Sequence, residues 1–286
     1  MSNNKKTKNH RYFALLLAVL VSLSLVLSGC GSKSEAPKTG STSSSNTVLK
    51  VGATPVPHAE ILEFIKPALL KEGVDLQIVN YTDYVRPNLD LDTGDIDANF
   101  FQHTPYLDSF NQDHSLKNVS IANVHIEPMG VYSKKITKLD DLKNGDTIAI
   151  PNDPSNGGRA LALLAKAGII QLKDGVGIKG TVNDIQNNPK QLKITPLDAP
   201  QLPRVLQDPK VIAAVINTNF AIEGGLNPIK DSLIMEDKNS PYANILVVKD
   251  SRKNDPALQK LSKALNSPEV KKFIEDKYQG AIVPAF

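Results

Sequence analysis

Short apolar runs alternate with stretches at helical spacing along most of this chain. Val48 to Ala53 predicts a strand that ends in a turn. Pro57 to Lys71 follows as an amphipathic helix, with Ile61, Leu62, Ile65, Leu69 and Leu70 at helical spacing and Gly73 as the stop. Pro67 inside it is expected to kink it. Val74 to Val79 predicts a second strand. Residues 94–103 read as a turn, an alternating strand and a helix entry at His103-Thr104-Pro105. Strand, helix, strand, helix, strand is the order of an α/β sheet.

Further along, two pairs of extended segments stand out. Leu116 to Ile126 and Met129 to Lys134 are parted by Glu127-Pro128. Leu233 to Glu236 and Tyr242 to Lys249 are parted by Ser240-Pro241. Each pair suits a crossing between two lobes, and each equally suits an ordinary edge strand. Between them lie buried strands at Asp146 to Ile150, Lys193 to Leu197 and Val211 to Asn217, with short helices at 138–144 and 199–207. Amphipathic helices at Pro256 to Leu265 and Pro268 to Tyr278 close the chain. Gly175 to Gly180 matches G-x-G-x-x-G, but no buried strand precedes it and no apolar helix follows, so a glycine-rich hairpin is expected instead of a dinucleotide site. The whole reads as two α/β lobes, each a mixed sheet flanked by helices, joined by two hinge strands. Residues 48–127 with 243–286 form the first lobe and 128–242 the second. That is the plan of a hinged binding protein with its ligand between the lobes.

Residues 1–29 read as a signal segment. Lys5, Lys6, Lys8 and Arg11 precede an apolar run from Tyr12 to Leu27 that ends Leu27-Ser28-Gly29-Cys30. The run is short for a membrane span. Its ending resembles the bacterial lipobox, which implies that Cys30 is lipidated and becomes the new N-terminus. Gly31 to Asn46 is rich in Ser, Thr and Gly and predicts a flexible tether over 30–47. Cys30 is the single cysteine, so its acylation leaves no thiol for a disulfide, a nucleophile or a metal. Removing the four cations of the signal takes the net charge from +3 to about −1, and no basic field then speaks for nucleic acid.

Candidate chemistry sits at strand ends. The chain has no Trp and 5% aromatics, yet Tyr81, Tyr84, Phe100, Phe101, His103 and Tyr106 fall in one stretch. They suit a pocket wall at the carboxyl end of a strand; taken singly, they also suit core filler. Arg159 follows a Pro/Gly loop at residues 151–158 and is placed in the first turn of an apolar helix. The helix dipole disfavours a cation there, which invites an anionic partner held by a bidentate guanidinium pair; a nearby acid at the surface would serve as well. Asn217 and Asn219 end the buried strand VIAAVIN. Asn244 stands before the apolar run ILVV with no turn to make.

Other classes find little support. There is no G-x-S-x-G and no H-E-x-x-H. Asp90, Asp92, Asp95 and Asp97 read as a solvated edge, and His58, His103, His114 and His125 show no short ligand spacing. An enzyme is therefore not expected, and neither a metal nor another cofactor. A surface adhesin would not need polar strand ends.

The stretches TDYVRPN, GDIDANFFQHTPYL, HIEPMGVYSKK, PNDPSNGGRALALL, AVINTNFA and SPYANILVVK, together with the lipobox, are similar to the NlpA/MetQ family of lipid-anchored methionine-binding proteins of ABC importers. The similarity runs from Leu49 to Phe286. It implies a type II periplasmic-binding-protein fold and bound L-methionine, with D-methionine or close analogues as further ligands. Tyr84, Phe101 and His103 would form the side-chain slot. Arg159 would hold the carboxylate with Asn156 nearby, and Asn217 and Asn244 would fix the α-amino and carboxylate groups. Phe100 and the pair Gly157-Gly158 depart from the common pattern, and a smaller rim there would shift preference among analogues. The implied setting is a monomer anchored by lipid to the extracytoplasmic face of the cell membrane, serving a cognate permease and ATPase complex. The alternatives are another amino acid or a small peptide, or a metal-binding lipoprotein.

Overall fold

The computed structural model describes residues 46–286. The signal segment, Cys30 and nearly all of the tether lie outside the described residues. The chain first runs through β1 (Thr47–Ala53), α1 (Glu60–Lys71), β2 (Val74–Asn80), α2 (Arg86–Thr93), β3 (Ala98–His103), α3 (Thr104–His114) and β4 (Asn118–Ile126). After Glu127-Pro128 come β5 (Gly130–Tyr132), β6 (Thr147–Pro151), α4 (Pro154–Lys166), β7 (Gln171–Leu172), β8 (Ile185–Asn187) and β9 (Lys193–Leu197). They are followed by α5 (Leu202–Val205), β10 (Val211–Ile216), α6 (Thr218–Glu223), α7 (Pro228–Asp231) and β11 (Ser232–Met235). The chain then returns to β12 (Ala243–Lys249), α8 (Pro256–Leu265), α9 (Pro268–Tyr278) and β13 (Val283–Pro284).

Two sheets result, and both are mixed. The first has the order β13-β4-β12-β3-β1-β2, with β1 parallel to β2 and β3, and β12 antiparallel to β3 and β4. The second has the order β11-β5-β10-β6-β9, with β6 parallel to β9 and β10, and β5 antiparallel to β10 and β11. The chain passes from the first to the second between β4 and β5 and returns between β11 and β12. The two-lobed α/β architecture with two connecting strands is therefore present. Each sheet has its own core. Ile61, Leu62, Ile65 and Leu69 of α1 pack with Leu258, Leu261 and Leu265 of α8 and Val270 and Ile274 of α9 over the first sheet. Leu161, Leu163 and Leu164 of α4 pack on Ile148, Ile150 and Val215 of the second. These are the apolar stripes of amphipathic helices, buried because each stripe meets a sheet face.

The local readings differ in several places. The helix begins at Glu60, after a separate turn at Pro55–Ala59, and runs unbroken past an exposed Pro67. Leu70 lies off the buried stripe and is exposed. β3 is buried along its whole length instead of alternating, because β1 and β12 flank it and both its faces are covered. Phe100 enters the α1–α8 core while Phe101 joins Tyr106 and Phe110 on the opposite face. The expected glycine-rich hairpin is β7–β8, and it carries a short 3-10 turn at Val182–Asp184 with Thr181 as a reciprocal cap. That hairpin also explains Gly157-Gly158. A Cβ on Gly158 would collide with the carbonyl oxygen of Ile178, and one on Gly157 would stand 2.9 Å from that of Pro151. The pair is small so that backbone can lie against α4, and neither residue lines the cavity described next.

Candidate binding site

The carboxyl ends of β3, β6 and β10, the first crossing and the start of β12 converge on one narrow cavity. Tyr84, Phe101, His103, Asn156, Arg159, Asn217 and Asn244 all line it. The structure thus brings together all seven residues singled out in the sequence, from positions up to 160 residues apart. Tyr106 and Asn219, both among the sequence's strand-end candidates, line it too, as do Gln102, Glu127 and Thr218, which sequence reading had not chosen for a site.

One end is aromatic. The Tyr84 ring lies 5.8 Å from Phe101, 5.7 Å from Tyr106 and 4.8 Å from Phe220. Its hydroxyl donates to Asn219 Oδ1 at 2.5 Å, and burial pushes that phenol well above its ordinary range. His103 ends β3 and caps α3, where Nδ1 accepts from the Tyr106 N–H at 3.2 Å. Its Nε2 therefore carries the proton and donates to Asn156 Oδ1 at 3.0 Å. Burial, with Arg159 nearby, lowers the His103 pKa to about 3. Both ring nitrogens are spoken for, so only the face of this neutral ring is available.

The polar end is best read by what each group has left to offer. Asn156 Nδ2 reaches both carboxylate oxygens of Asp153, and its Oδ1 accepts from His103 and from Asn217 Nδ2. It acts by holding its neighbours. Asn217 caps α6 without using its side-chain oxygen, and that buried Oδ1 has no partner among the described residues. Asn244 Oδ1 accepts from His58 Nε2 at 3.0 Å, which leaves its Nδ2 as donor. Asn219 gives its backbone N–H to Glu127 and its Oδ1 to Tyr84. Its Nδ2 meets no acceptor at hydrogen-bond distance, although the Glu223 carboxylate is close.

Arg159 departs from expectation. The helix starts at Pro154 with Asp153 as its cap, so Arg159 lies in the second turn and the dipole argument loses its force. It is 3% exposed and already holds a carboxylate. Nε and Nη2 donate to Glu236 at 2.8 and 2.5 Å, and Nη2 also to the Glu127 carbonyl at 2.8 Å. The guanidinium lies 4.0 Å from the centre of the Tyr242 ring. Only Nη1 lacks a partner among the described residues.

Glu127 is the residue sequence reading passed over. It is 6% exposed. Oε1 accepts from His125 Nε2 at 2.7 Å and lies 3.2 Å from His58 Nε2, and Oε2 accepts from the Asn219 N–H at 3.0 Å. Burial raises its pKa, while burial lowers His58 to about 4 and His125 to about 3. Its signal in the sequence was a lone charge at the end of an apolar strand, in HIEPM. Donor atoms of His58, His125 and Glu127 lie within 4.8 Å of one another, close enough to share a cation. Spacing along the chain had hidden this group. As folded, both Nε2 atoms face acceptors and so carry protons, which would have to leave before either could bind a metal.

Residues 49–286 match the family model described as NlpA lipoprotein. The chain is 44% identical over 272 residues to the D-methionine-binding lipoprotein MetQ of Escherichia coli strain K12, across 95% of this chain and 96% of that one. Among solved structures, a nutrient-binding protein from Burkholderia cenocepacia bound to methionine is 48% identical. It superposes with a TM-score of 0.80 over 83% of this chain and all of that one. The methionine-binding protein MetQ superposes with a TM-score of 0.81 at 44% identity, over 84% of this chain and 98% of that one.

Proposed function

The chain belongs to the NlpA lipoprotein family, and on that premise we propose that it captures methionine between its lobes and hands it to an ABC importer. The observation that carries this reading is a single narrow cavity with an aromatic slot at one end and both an unpaired acceptor and a cation at the other. A thioether gains roughly 0.3–1.5 kcal/mol against an aromatic ring, and Tyr84, Phe101 and the face of His103 supply such a slot. The zwitterionic end then meets Asn217 Oδ1, Asn244 Nδ2 and the free Nη1 of Arg159. Asn156 holds His103 and Asn217 in place. L-Methionine is the first ligand to test, and the name of the Escherichia coli relative puts the D-enantiomer beside it.

The lobes are divided as residues 48–127 with 243–286, and 128–242. The protein is a monomer that carries no catalytic step. It is anchored through lipidated Cys30 on the extracytoplasmic side of the cell membrane, where a permease and ATPase complex receives its cargo. A panel of the common amino acids tested by thermal shift on ligand-stripped protein decides the ligand. A ligand at about 1,000 times its Kd adds roughly 4 kcal/mol, several degrees for a domain of this size, and a flat response to methionine refutes the assignment. Cys30→Ala should abolish membrane fractionation of the mature protein; mature, membrane-bound mutant protein would refute the anchor.

A further inference from the structure

We propose that Glu127 is the counter-ion that selects the ligand's α-ammonium group. The cavity then takes amino acids and rejects the same acid without its amine. The inference deepens the methionine reading and rests on it.

Charge around Glu127 is unbalanced. The carboxylate lines the cavity from the first crossing and accepts two hydrogen bonds, from His125 and the Asn219 backbone, with His58 Nε2 3.2 Å away but bonded to Asn244. An ionised carboxylate offers about four lone-pair sites, so its bonds leave room for a further donor. None of its donors is a cation. His58 Nδ1 meets the Thr54 hydroxyl at 2.7 Å while its Nε2 faces Asn244 Oδ1 and Glu127. That pattern needs one proton on the ring, at Nε2, with Thr54 donating to Nδ1. His125 Nδ1 is buried without a partner, which an imidazolium would not tolerate. Arg159 touches only the Glu127 carbonyl and spends its charge on Glu236. The Glu223 carboxylate is near enough for the Glu127 charge to act on it, so no cation faces Glu127 from there. A buried charge that its own protein leaves unpaired is costly unless a ligand completes the pair.

The open hydrogen-bond groups sort by the same logic. Asn217 Oδ1 is an orphaned acceptor, and with Glu127 it suits an ammonium. Asn244 can offer the cavity only its Nδ2, because His58 occupies Oδ1, and with Arg159 Nη1 it suits a carboxylate. His58 is therefore a positioning residue that sets the orientation of the Asn244 amide.

The test uses the full-length protein in detergent, stripped of ligand, and calorimetry with methionine and with 4-(methylthio)butanoate, which keeps the thioether and carboxylate but has no amine. The wild type should prefer methionine by roughly 100-fold or more, as for one buried charge pair. Glu127→Gln should reduce that preference to about 10-fold or less, mainly by weakening methionine. The preference is a ratio measured on one preparation, so partial unfolding cancels. Glu127→Asp keeps the charge and should keep the preference. An unchanged preference in the Gln variant overturns the role of Glu127. So does an Asp variant that binds the analogue but has lost the preference, or a wild type that binds both compounds equally. Loss of methionine binding on chelation would assign Glu127 to a metal ion and likewise overturn it. A wild type that binds neither compound refutes the methionine reading itself.

Discussion

Each of the two crossings carries a glutamate beside the cavity, and the two could hardly be treated more differently. Glu236, at the return crossing, is held by two donors of Arg159 and by the Met129 N–H at 2.9 Å. Glu127, at the outward crossing, has neutral histidines and a backbone N–H for company. One carboxylate is neutralised by its own protein; the other is left for something that arrives. The crossings are also tied to each other. Met129 and Glu236 exchange backbone and side-chain bonds, and Arg159 reaches the Glu127 carbonyl. Arg159 therefore works first as a strut between the crossings, with one nitrogen left unpaired among the described residues. A residue type and a place in the fold do not fix a role; the charge that its neighbours supply does.

The comparison can be broken most forcefully at the strut. Arg159→Met should cost roughly 3–5 kcal/mol of stability by leaving Glu236 unpaired, read by chemical denaturation. Arg159→Met with Glu236→Gln should recover at least half of that. A loss below about 1 kcal/mol in the single variant would make the pair an ordinary surface bridge.

Acid sharpens the contrast from the other side. His58, His103 and His125 are held neutral down to about 4, 3 and 3. Below the ordinary histidine range the unfolded chain binds protons that the native chain refuses, so stability falls with pH, by up to about 1.4 kcal/mol per pH unit for each histidine. Between about pH 4.5 and 7 the raised carboxylates oppose this. Glu223, pushed up to about 7, and also Glu127 and Asp153, bind protons in the native state that the unfolded state has released. The ligand-free melting temperature should therefore drop steeply only below about pH 4.5, and His125→Gln should flatten that limb by one proton. An unchanged limb would mean that His125 is not kept neutral.

Smaller effects follow. Asn244→Ala should weaken methionine by roughly 1–3 kcal/mol, some 5- to 150-fold in Kd. The ligand-free melting temperature should barely move, because the freed His58 Nε2 has the Glu127 carboxylate 3.2 Å away to turn to. Unchanged affinity with a lowered melting temperature would make Asn244 structural. Tyr242→Leu removes the ring over the Arg159 guanidinium. It should cost about 1 kcal/mol of stability, measured by denaturation, while leaving the preference for the amine intact.

Much of this molecule could be read residue by residue. The closing helices begin and end where the pattern placed them, because Pro256 and Pro268 open amphipathic turns behind the capping residues Asp255 and Ser267. Short polar helices escaped. α2, α6 and α7 are too brief for an apolar period to register, and Arg159 was placed one turn too early because Ser155 and Asn156 look like loop. Asn244 was expected to spend its amide on something buried; it does so on His58, from 186 residues away.

The apolar periods by themselves determined the alternation of strands and helices, since that depends on neighbours within a few turns; at the two proline-parted pairs they left a crossing and an edge strand equally open. The aromatic stretch and the polar strand ends also followed, because side chains at the carboxyl ends of adjacent strands must face the same space. What only the tertiary structure decided is the electrostatics of that space. The partner of Arg159 lies 77 residues away, and Glu127, two residues after His125, meets His58 only through the fold. Whether a buried carboxylate is paired depends on atoms within a few ångströms, and that distance is set by how two sheets are brought together, not by the order of residues along the chain.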